Sequence, residues 1–385
     1  MTTLETPGPT LGVVGGGQLG RMLAEAAGPL GVEVIVLDPT PDCPASAVCR
    51  DQIVARFDDE DAIRELASRA DVLTFEIELA DQDALERVSD EAGVPVHPRP
   101  ETLELIHDKL HQKRALEDAG VPVPPFRAVE DADDIREAID DYGAPVMLKA
   151  RTGGYDGRGN VPVESAEETE EALEAVAGPA MVEAFVDFER EVSVIAVKGD
   201  GETAAYPLGE NVHEEEILRE TIVPARSDDE AADSARAVAT DVLELMDGRG
   251  VYGIELFETV DGEILLNEIA PRPHNSGHWT IEGAVTSQFE SHVRAVLGWP
   301  LGSTELRAPT VSKNLLGDVD EAQDAQLSNV DRILETPRAH LHWYGKREAR
   351  PLRKMGHLTV TAREGESREE LLETARELEQ AVTFR

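Results

Sequence analysis

Lys149-Ala150-Arg151-Thr152-Gly153-Gly154-Tyr155-Asp156-Gly157-Arg158-Gly159-Asn160 is the stretch on which the reading of this 385-residue chain turns. It follows the apolar run Ala144-Pro145-Val146-Met147-Leu148 and precedes the alternating run Val161-Pro162-Val163, so the pattern predicts a loop between two strands. Gly153, Gly154, Gly157 and Gly159 leave backbone N–H groups free to close around an anion with no Cβ in the way. Lys149, at the end of the first strand, adds a point charge suited to a phosphate. Tyr155, Asp156 and Arg158 are too varied for a plain linker; the competing reading is a glycine hairpin that needs positive φ and nothing more. A P-loop is excluded, because there Gly-Lys-Ser/Thr opens a helix, whereas here the lysine precedes the glycines and a strand follows.

A metal pair follows from strand pairing. Val251 to Val260 and Glu263 to Ile269 read as strands separated by Asp261-Gly262, a strong hairpin signal. A two-residue turn pairs Val260 with Glu263 and therefore Glu255 with Glu268, their Cβ atoms roughly 4.5–5.5 Å apart. Like charges at that spacing are destabilising unless neutralised, and Mg²⁺ takes one or two carboxylates plus substrate phosphates. The hairpin predicts a nucleotide-bound Mg²⁺, with Mn²⁺ as a substitute; the competing readings are a shared proton or a solvated sheet face. Strict alternation turns Asn267 away from that face, unless a bulge re-aims it.

Towards the N-terminus, Leu11 to Leu23 reads as strand, glycine turn and helix, and Val32 to Asp38 as a second buried parallel strand. Gly15, Gly17 and Gly20 satisfy G-x-G-x-x-G with Asp38 at the ribose position, which taken alone suggests a dinucleotide site and an NAD-dependent oxidoreductase. The same turn serves any phosphate at a helix N-terminus. Asp71 to Glu78 is another strand ending in acids. Glu76, at its carboxyl end, is placed to orient substrate hydroxyls, with a solvated surface acid as the competing reading. Glu101 to Ala119 carries a helical pattern containing Lys109 and Lys113, two of only seven lysines.

The loop Arg151 to Gly159 and the string Asn267-Glu268-Ile269-Ala270-Pro271-Arg272-Pro273-His274-Asn275-Ser276-Gly277-His278-Trp279-Thr280 resemble the ATP-grasp ligases. Within these they are similar to the N5-carboxyaminoimidazole ribonucleotide synthetase family of purine biosynthesis, over nearly the whole chain. The resemblance implies an α/β ATP-grasp fold: a Rossmann-like N-terminal βαβ domain (1–100), an ATP-grasp domain (101–302) with a lid at about 121–182, and a β-rich C-terminal domain (303–385). It implies ATP-dependent carboxylation of 5-aminoimidazole ribonucleotide by bicarbonate through carboxyphosphate. For ATP it implies Lys109, Lys149, Gly154, Tyr155, Asp156, Gly157, Arg158, Gly159, Asn160, Asn267 and Glu268. It adds Glu183, Ala184, Phe185 and Val186 around the base, Glu191 on the ribose, and His213. Gly17, Gln18, Leu19, Glu76, Arg350 and Lys354 fall to the ribonucleotide. Asp156, Tyr155, Arg158, Arg272, His274 and Lys354 fall to the chemistry. The family usually has glycine where Leu352 stands, which puts the local backbone in question. The family is usually dimeric.

Composition narrows the partners. With 78 acidic against 36 basic residues the formal charge is −42, which disfavours nucleic acid and anionic membranes. Self-repulsion of that size fits a salt-rich cytoplasm, where the Debye length falls to roughly 3 Å at 1 M salt. Cys43 and Cys49 have no partners at zinc spacing, which fits a reducing compartment. No apolar run approaches the roughly 18 residues of a membrane span, and the start of the chain lacks a signal-peptide pattern. The rival functions are another ATP-grasp ligase, for example one using formate, a silent nucleotide-binding subunit, and the NAD enzyme.

Overall fold

Runs of apolar residues buried on both faces require a parallel sheet covered by helices, and the first layer is one. β1 (Thr10–Val14), β2 (Glu33–Leu37), β3 (Asp51–Ile53) and β4 (Val72–Phe75) lie in the order β3-β2-β1-β4. α1 (Gln18–Ala27), α2 (Glu60–Ala67) and α3 (Gln82–Ala92) cover it, α2 and α3 being started by Asp59 and Asp81, whose carboxylates accept the N–H groups of Ala62 and Ala84. The computed structural model describes residues 2, 4–153, 159–176 and 178–385. Gly154, Tyr155, Asp156, Gly157 and Arg158 therefore lie outside the described residues.

The periodicity from Glu101 to Ala119 predicts one helix, but two form, α4 (Pro100–His107) and α5 (Lys109–Asp118). Asp108 stays extended between them and accepts the N–H groups of Leu110 and His111, so an N-cap interrupts the pattern and starts α5 at Lys109. The lid follows. β5 (Phe126–Val129), α6 (Ala132–Tyr142), β6 (Val146–Ala150), β7 (Asn160–Val163), α7 (Thr169–Val176) and β8 (Ala180–Ala184) form a sheet β5-β8-β6-β7 with its own apolar core around Ile135, Leu148 and Val182. β6 and β7 pair antiparallel with Lys149 opposite Asn160, so the glycine-rich loop spans a hairpin of the lid.

The main sheet has β14-β13-β9-β11-β12-β15-β20-β18 in sequence across it, with β10 on β9. It is built from β9 (Phe188–Lys198), β10 (Thr203–Ala205), β11 (Gly209–Glu214), β12 (Ile217–Val223), β13 (Gly250–Thr259), β14 (Ile264–Ala270), β15 (Thr310–Leu316), β18 (Ala339–Trp343) and β20 (Lys354–Thr361). β15, β18 and β20 do not make a sheet of their own. β15 pairs with β12, aligning Thr221 with Ser312, so the sheet runs through the boundary at 302. Two short ribbons complete the strands, β16 (Gln323–Asp324) with β19 (Glu348–Ala349) and β17 (Leu327–Ser328) with β21 (Thr383–Phe384).

Helices seal both faces. α8 (Asp229–Leu245) packs its Ala and Val face on β9 and β13, and α12 (Arg368–Ala381) packs on β15 and β20 after a capping box between Ser367 and Glu370. α9 (Thr280–Gly283), α10 (Gln288–Val296) and α11 (Asp331–Glu335) complete the set. α10 joins the layers: Phe289, Val293 and Val296 share a core with Leu19, Met22 and Leu23 of α1, and His292 Nε2 lies 2.8 Å from Thr74 Oγ1 on β4. The carboxyl ends of β1 and β4 are thereby held against the segment that follows β14. No helix among the described residues is long and apolar enough to cross a membrane.

Candidate active site

A cavity of about 760 Å³ opens between the lid and the main sheet, and the β13–β14 hairpin forms its floor. The turn differs from expectation. Thr259 rather than Val260 pairs with Glu263, through its N–H to the Glu263 carbonyl at 2.9 Å, and Gly262 takes φ +80°. A two-residue type I′ turn needs positive φ at both central residues, and here only the glycine adopts it, so the loop gains a residue. The ladder then runs Glu258–Ile264 to Leu256–Leu266 before Asn267 bulges, which restores Glu255 opposite Glu268. The two offsets cancel. The same bulge brings Asn267 to the cavity wall beside Glu268.

The carboxylates differ in state. Burial pushes the Glu255 carboxyl up to about 7, with Glu268 adding repulsion. Lys109, one residue after the break between α4 and α5, reaches Glu268 Oε1 at 3.2 Å and holds that carboxyl below its ordinary value. A buried, repelled carboxyl beside an ionised one and an amide oxygen is a donor set that suits a nucleotide-bound divalent cation. On the same wall, His213 Nδ1 lies 2.7 Å from Glu191 Oε2; burial opposes charge on the ring, but the bond to Glu191 outweighs it and raises the pKa.

At the far end Phe185 and Phe188 are 50% and 40% exposed, and Phe188 stacks on Phe257 with ring centroids 5.0 Å apart. Large apolar side chains left open in a cavity suit a flat aromatic guest, and Ala184 and Val186 line the same segment. Glu183, just before them, turns its side chain inward instead. It is 2% exposed, with Lys149 Nζ at 2.6 Å from one oxygen and Lys113 Nζ at 3.1 Å from the other.

Arg272 and His274 leave β14 on the loop beyond it. Arg272 Nη2 pairs with Glu78 at 2.8 Å. His274 Nδ1 lies 2.9 Å from Ser276 Oγ, and its backbone N–H is held by Gln288 Oε1 at 2.9 Å. Burial, helped by Arg272 and Lys354, holds its pKa well below the ordinary histidine range, so the ring is neutral at pH 7. Space for it is made by Gly253 on β13: a Cβ there would stand 2.3 Å from that of His274.

Arg272, His274 and Lys354 also line a second cavity of about 460 Å³ under the N-terminal sheet, whose other walls include Gly17, Gln18, Leu19, Lys346, Arg350 and Arg353. Glu76 lines this cavity too, and its carboxylate accepts the N–H groups of Gly17 at 2.5 Å and Gly20 at 2.9 Å. Burial raises its pKa to about 7 despite those bonds. Asp38 is likewise committed, to the N–H groups of Gly16 and Thr40. The N–H groups of Gly16, Gly17 and Gly20 in the glycine turn are thus taken by the chain's own carboxylates. Arg350 pairs with Glu348 at the cavity rim, and Arg353 is anchored on the Glu348 carbonyl at 2.7 Å.

Glu78, Gly253, Lys346 and Phe188 enter the site without having been singled out by the sequence. Glu78 was legible, since it is two residues from Glu76 at the same strand end. Gly253 carries no local signal at all.

The ATP-grasp domain model matches residues 114–289, the ribonucleotide synthetase preATP-grasp domain 9–107, and the phosphoribosylaminoimidazole carboxylase C-terminal domain 310–372. The N5-carboxyaminoimidazole ribonucleotide synthase of Brucella melitensis is 44% identical over 358 residues, 92% of this chain and 96% of that protein. This chain belongs to the N5-carboxyaminoimidazole ribonucleotide synthase family. As a member of the synthase family it is an ATP-grasp ligase. The Bacillus subtilis synthase is 39% identical over 355 residues, 92% of this chain and 91% of that one. The synthetase structure from Thermotoga maritima has a TM-score of 0.88 at 42% identity, covering 98% of this chain and 99% of that one. The Aspergillus clavatus synthase, in complex with ADP and 5-aminoimidazole ribonucleotide, has a TM-score of 0.88 at 36% identity, covering 97% and 98%.

Proposed function

We propose that the chain uses ATP and bicarbonate to carboxylate the exocyclic amine of 5-aminoimidazole ribonucleotide, giving N5-carboxyaminoimidazole ribonucleotide, ADP and phosphate in purine biosynthesis. The observation that carries this reading is the shared wall: Arg272, His274 and Lys354 line both cavities, so a group activated in one is met by the same side chains that face the other. The Aspergillus clavatus relative is in complex with ADP and 5-aminoimidazole ribonucleotide, which supports these two ligands for this chain.

ATP lies in the larger cavity, its base among Ala184, Phe185, Val186 and Phe188, its ribose at Glu191 and His213, and its phosphates towards Lys109, Lys149, Gly159, Asn160 and Asn267. Glu255 and Glu268 hold Mg²⁺, or Mn²⁺ in its place; when bound, the ion offsets charge on the transferring phosphoryl group. A bicarbonate oxygen attacks the γ-phosphorus, the bond to ADP breaks, and carboxyphosphate is left beside Arg272, Lys354 and neutral His274, which donates a hydrogen bond. The amine nitrogen takes the carboxyl carbon, phosphate leaves, and Asp156 accepts the amine proton. Tyr155 and Arg158 place the ribonucleotide. Its phosphate lies between the free N–H groups of Gln18 and Leu19 at the start of α1 and the cations Lys346, Arg350 and Arg353. We further infer a homodimer by family analogy, and a salt-rich cytoplasm from the charge of −42.

The test is ADP release in high salt with bicarbonate, with and without 5-aminoimidazole ribonucleotide. Release that needs both, with carboxylated product in equal amount, is expected; formate replacing bicarbonate assigns a formate ligase, and ADP binding without release a silent subunit. Asp156→Asn is expected to keep ATP binding and lose most carboxylation; wild-type turnover removes Asp156 from the mechanism.

A further inference from the structure

We propose that Lys113 is a positioning residue that leaves the charge of Lys149 available to the ATP phosphates, by taking up half of the Glu183 carboxylate that would otherwise neutralise it. The inference rests on the ATP half of the function proposed above.

Lys113 lies behind the cavity wall, 2% exposed, one helical turn after Lys109 on the same face of α5. Its Nζ reaches Glu183 Oε1 at 3.1 Å and the Leu266 carbonyl at 3.0 Å. The second oxygen of Glu183 lies 2.6 Å from Lys149 Nζ. Glu183 and Lys149 line the cavity and Lys113 does not. The trio therefore holds two cations and one anion, fully enclosed on the Lys113 side and open to ligand on the Lys149 side. Buried charges persist only when paired and hydrogen-bonded, and each member here has a charged partner.

The charge balance gives Lys113 its role. With Lys113 present the group carries a surplus positive charge, and the only member of it facing the cavity with a donor is Lys149. Remove Lys113 and a neutral Glu183–Lys149 pair remains, with Nζ drawn to both carboxylate oxygens and turned from the phosphates. Lys113 also fixes the Leu266 carbonyl immediately before the Asn267 bulge, so the base of the lid and the strand bearing Glu268 are tied to one ammonium. Burial lowers the Lys113 pKa to about 8, and the two lysines together hold Glu183 down to about 2, so Lys113 and Glu183 are both ionised at pH 7.

The experiment is calorimetric titration of Mg-ADP into the full-length protein, alongside KM and kcat for both substrates. Lys113→Met is expected to weaken ADP by about tenfold to a hundredfold, the range of a lost charged hydrogen bond, and to raise KM for ATP while KM for the ribonucleotide stays put. Adding Glu183→Gln to Lys113→Met is expected to recover most of that affinity, because Lys149 regains its surplus charge. A merely structural Lys113 gives no such recovery, so a double variant as weak as the single one overturns the proposal, as does a folded Lys113→Met with wild-type affinity. Should Lys113→Met not fold, Glu183→Gln alone decides: binding at least as tight as wild type supports the proposal and weaker binding overturns it. A wild-type protein that binds no Mg-ADP defeats the ATP reading itself, which is a separate outcome.

Discussion

Glu255 and Glu268 are cross-strand neighbours whose carboxyls are driven apart in acidity: burial pushes Glu255 up to about 7, whereas Lys109 holds Glu268 below its ordinary value. Two adjacent carboxyls in opposite states offer a donor pair that suits a divalent cation. The stronger acid offers charge at once; the weaker one gains from releasing its proton to a metal.

Stability against pH follows from this. Glu255 and Glu76 both have folded values near 7 against an ordinary 4.5, so the stability their protonated forms contribute is fully present below 4.5 and lost as pH rises through about 7. His97, His274 and His292 are shifted down from 6.5, so they act in the opposite sense, but only below 6.5. Between pH 6.5 and 8 the melting temperature in chelator is expected to fall. Mg²⁺ is expected to reduce that fall and Glu255→Gln to abolish the Mg²⁺ effect; a Mg²⁺ effect undiminished in Glu255→Gln places the ion elsewhere.

Gly253→Ala is expected to inactivate without unfolding. The added Cβ would meet His274 Cβ at 2.3 Å and its Cγ at 2.7 Å, and the loop beyond β14 has to shift to relieve that contact. Mg-ADP affinity, set mainly by the lid and the hairpin, is expected to change little while kcat for carboxylation drops by about a hundredfold, as a misplacement near 1 Å does. Retained kcat with a normal melting temperature would falsify the placement of His274 at the reacting centre.

Much of this was legible in the chain, and the parts that were not share a cause. The lid hairpin, the βαβ layer and the carboxylate pair follow from periodicity and turn residues. The two-residue turn that the sequence predicts is one residue shorter than the one that forms, and the Asn267 bulge cancels the offset; both irregularities depend on backbone angles that residue types specify only loosely. Asp108 hides in a helical pattern because a cap and a helix-surface acid are the same residue. Glu76 and Asp38 line the second cavity, but their bonds to the glycine turn are not legible in the chain, because backbone N–H groups have no residue identity to recognise. Lys113, Glu183 and Lys149 come from three separate elements, and only the fold joins them. The joining of β15 to β12 is equally a long-range pairing that no local pattern announces.

Salt is expected to stabilise the protein. The arginine–carboxylate pairs on the surface contribute roughly 0–1 kcal/mol each and weaken on screening, but with a net charge of −42 carboxylates far outnumber the cations. Raising KCl from about 0.1 M to about 1 M shortens the Debye length from about 10 Å to about 3 Å, and the relief of repulsion outweighs the weakened pairs. The melting temperature is expected to rise across that range. A falling one overturns the salt-rich reading of the composition.

Leu352 occupies a glycine's conformation. Its φ is +60°, its N–H donates to the Gly317 carbonyl at 3.0 Å, and Gly317 returns a bond to the Arg353 carbonyl at 2.9 Å, closing the loop that carries Arg350 and Arg353 into the second cavity. Gly317 has no room to adjust, since a Cβ there would lie 2.2 Å from the Arg350 carbonyl oxygen. A left-handed leucine costs about 1–2 kcal/mol. The residue is 38% exposed, so its partial burial offsets part of that cost. Leu352→Gly is expected to stabilise the protein by about 1 kcal/mol after the extra freedom of glycine in the unfolded chain is counted, and Leu352→Asn by less. The denaturant midpoint measures this, and KM for the ribonucleotide is expected to stay unchanged because the backbone path is already that of glycine. A Leu352→Gly variant less stable than wild type means that the leucine side chain makes contacts worth more than its strain.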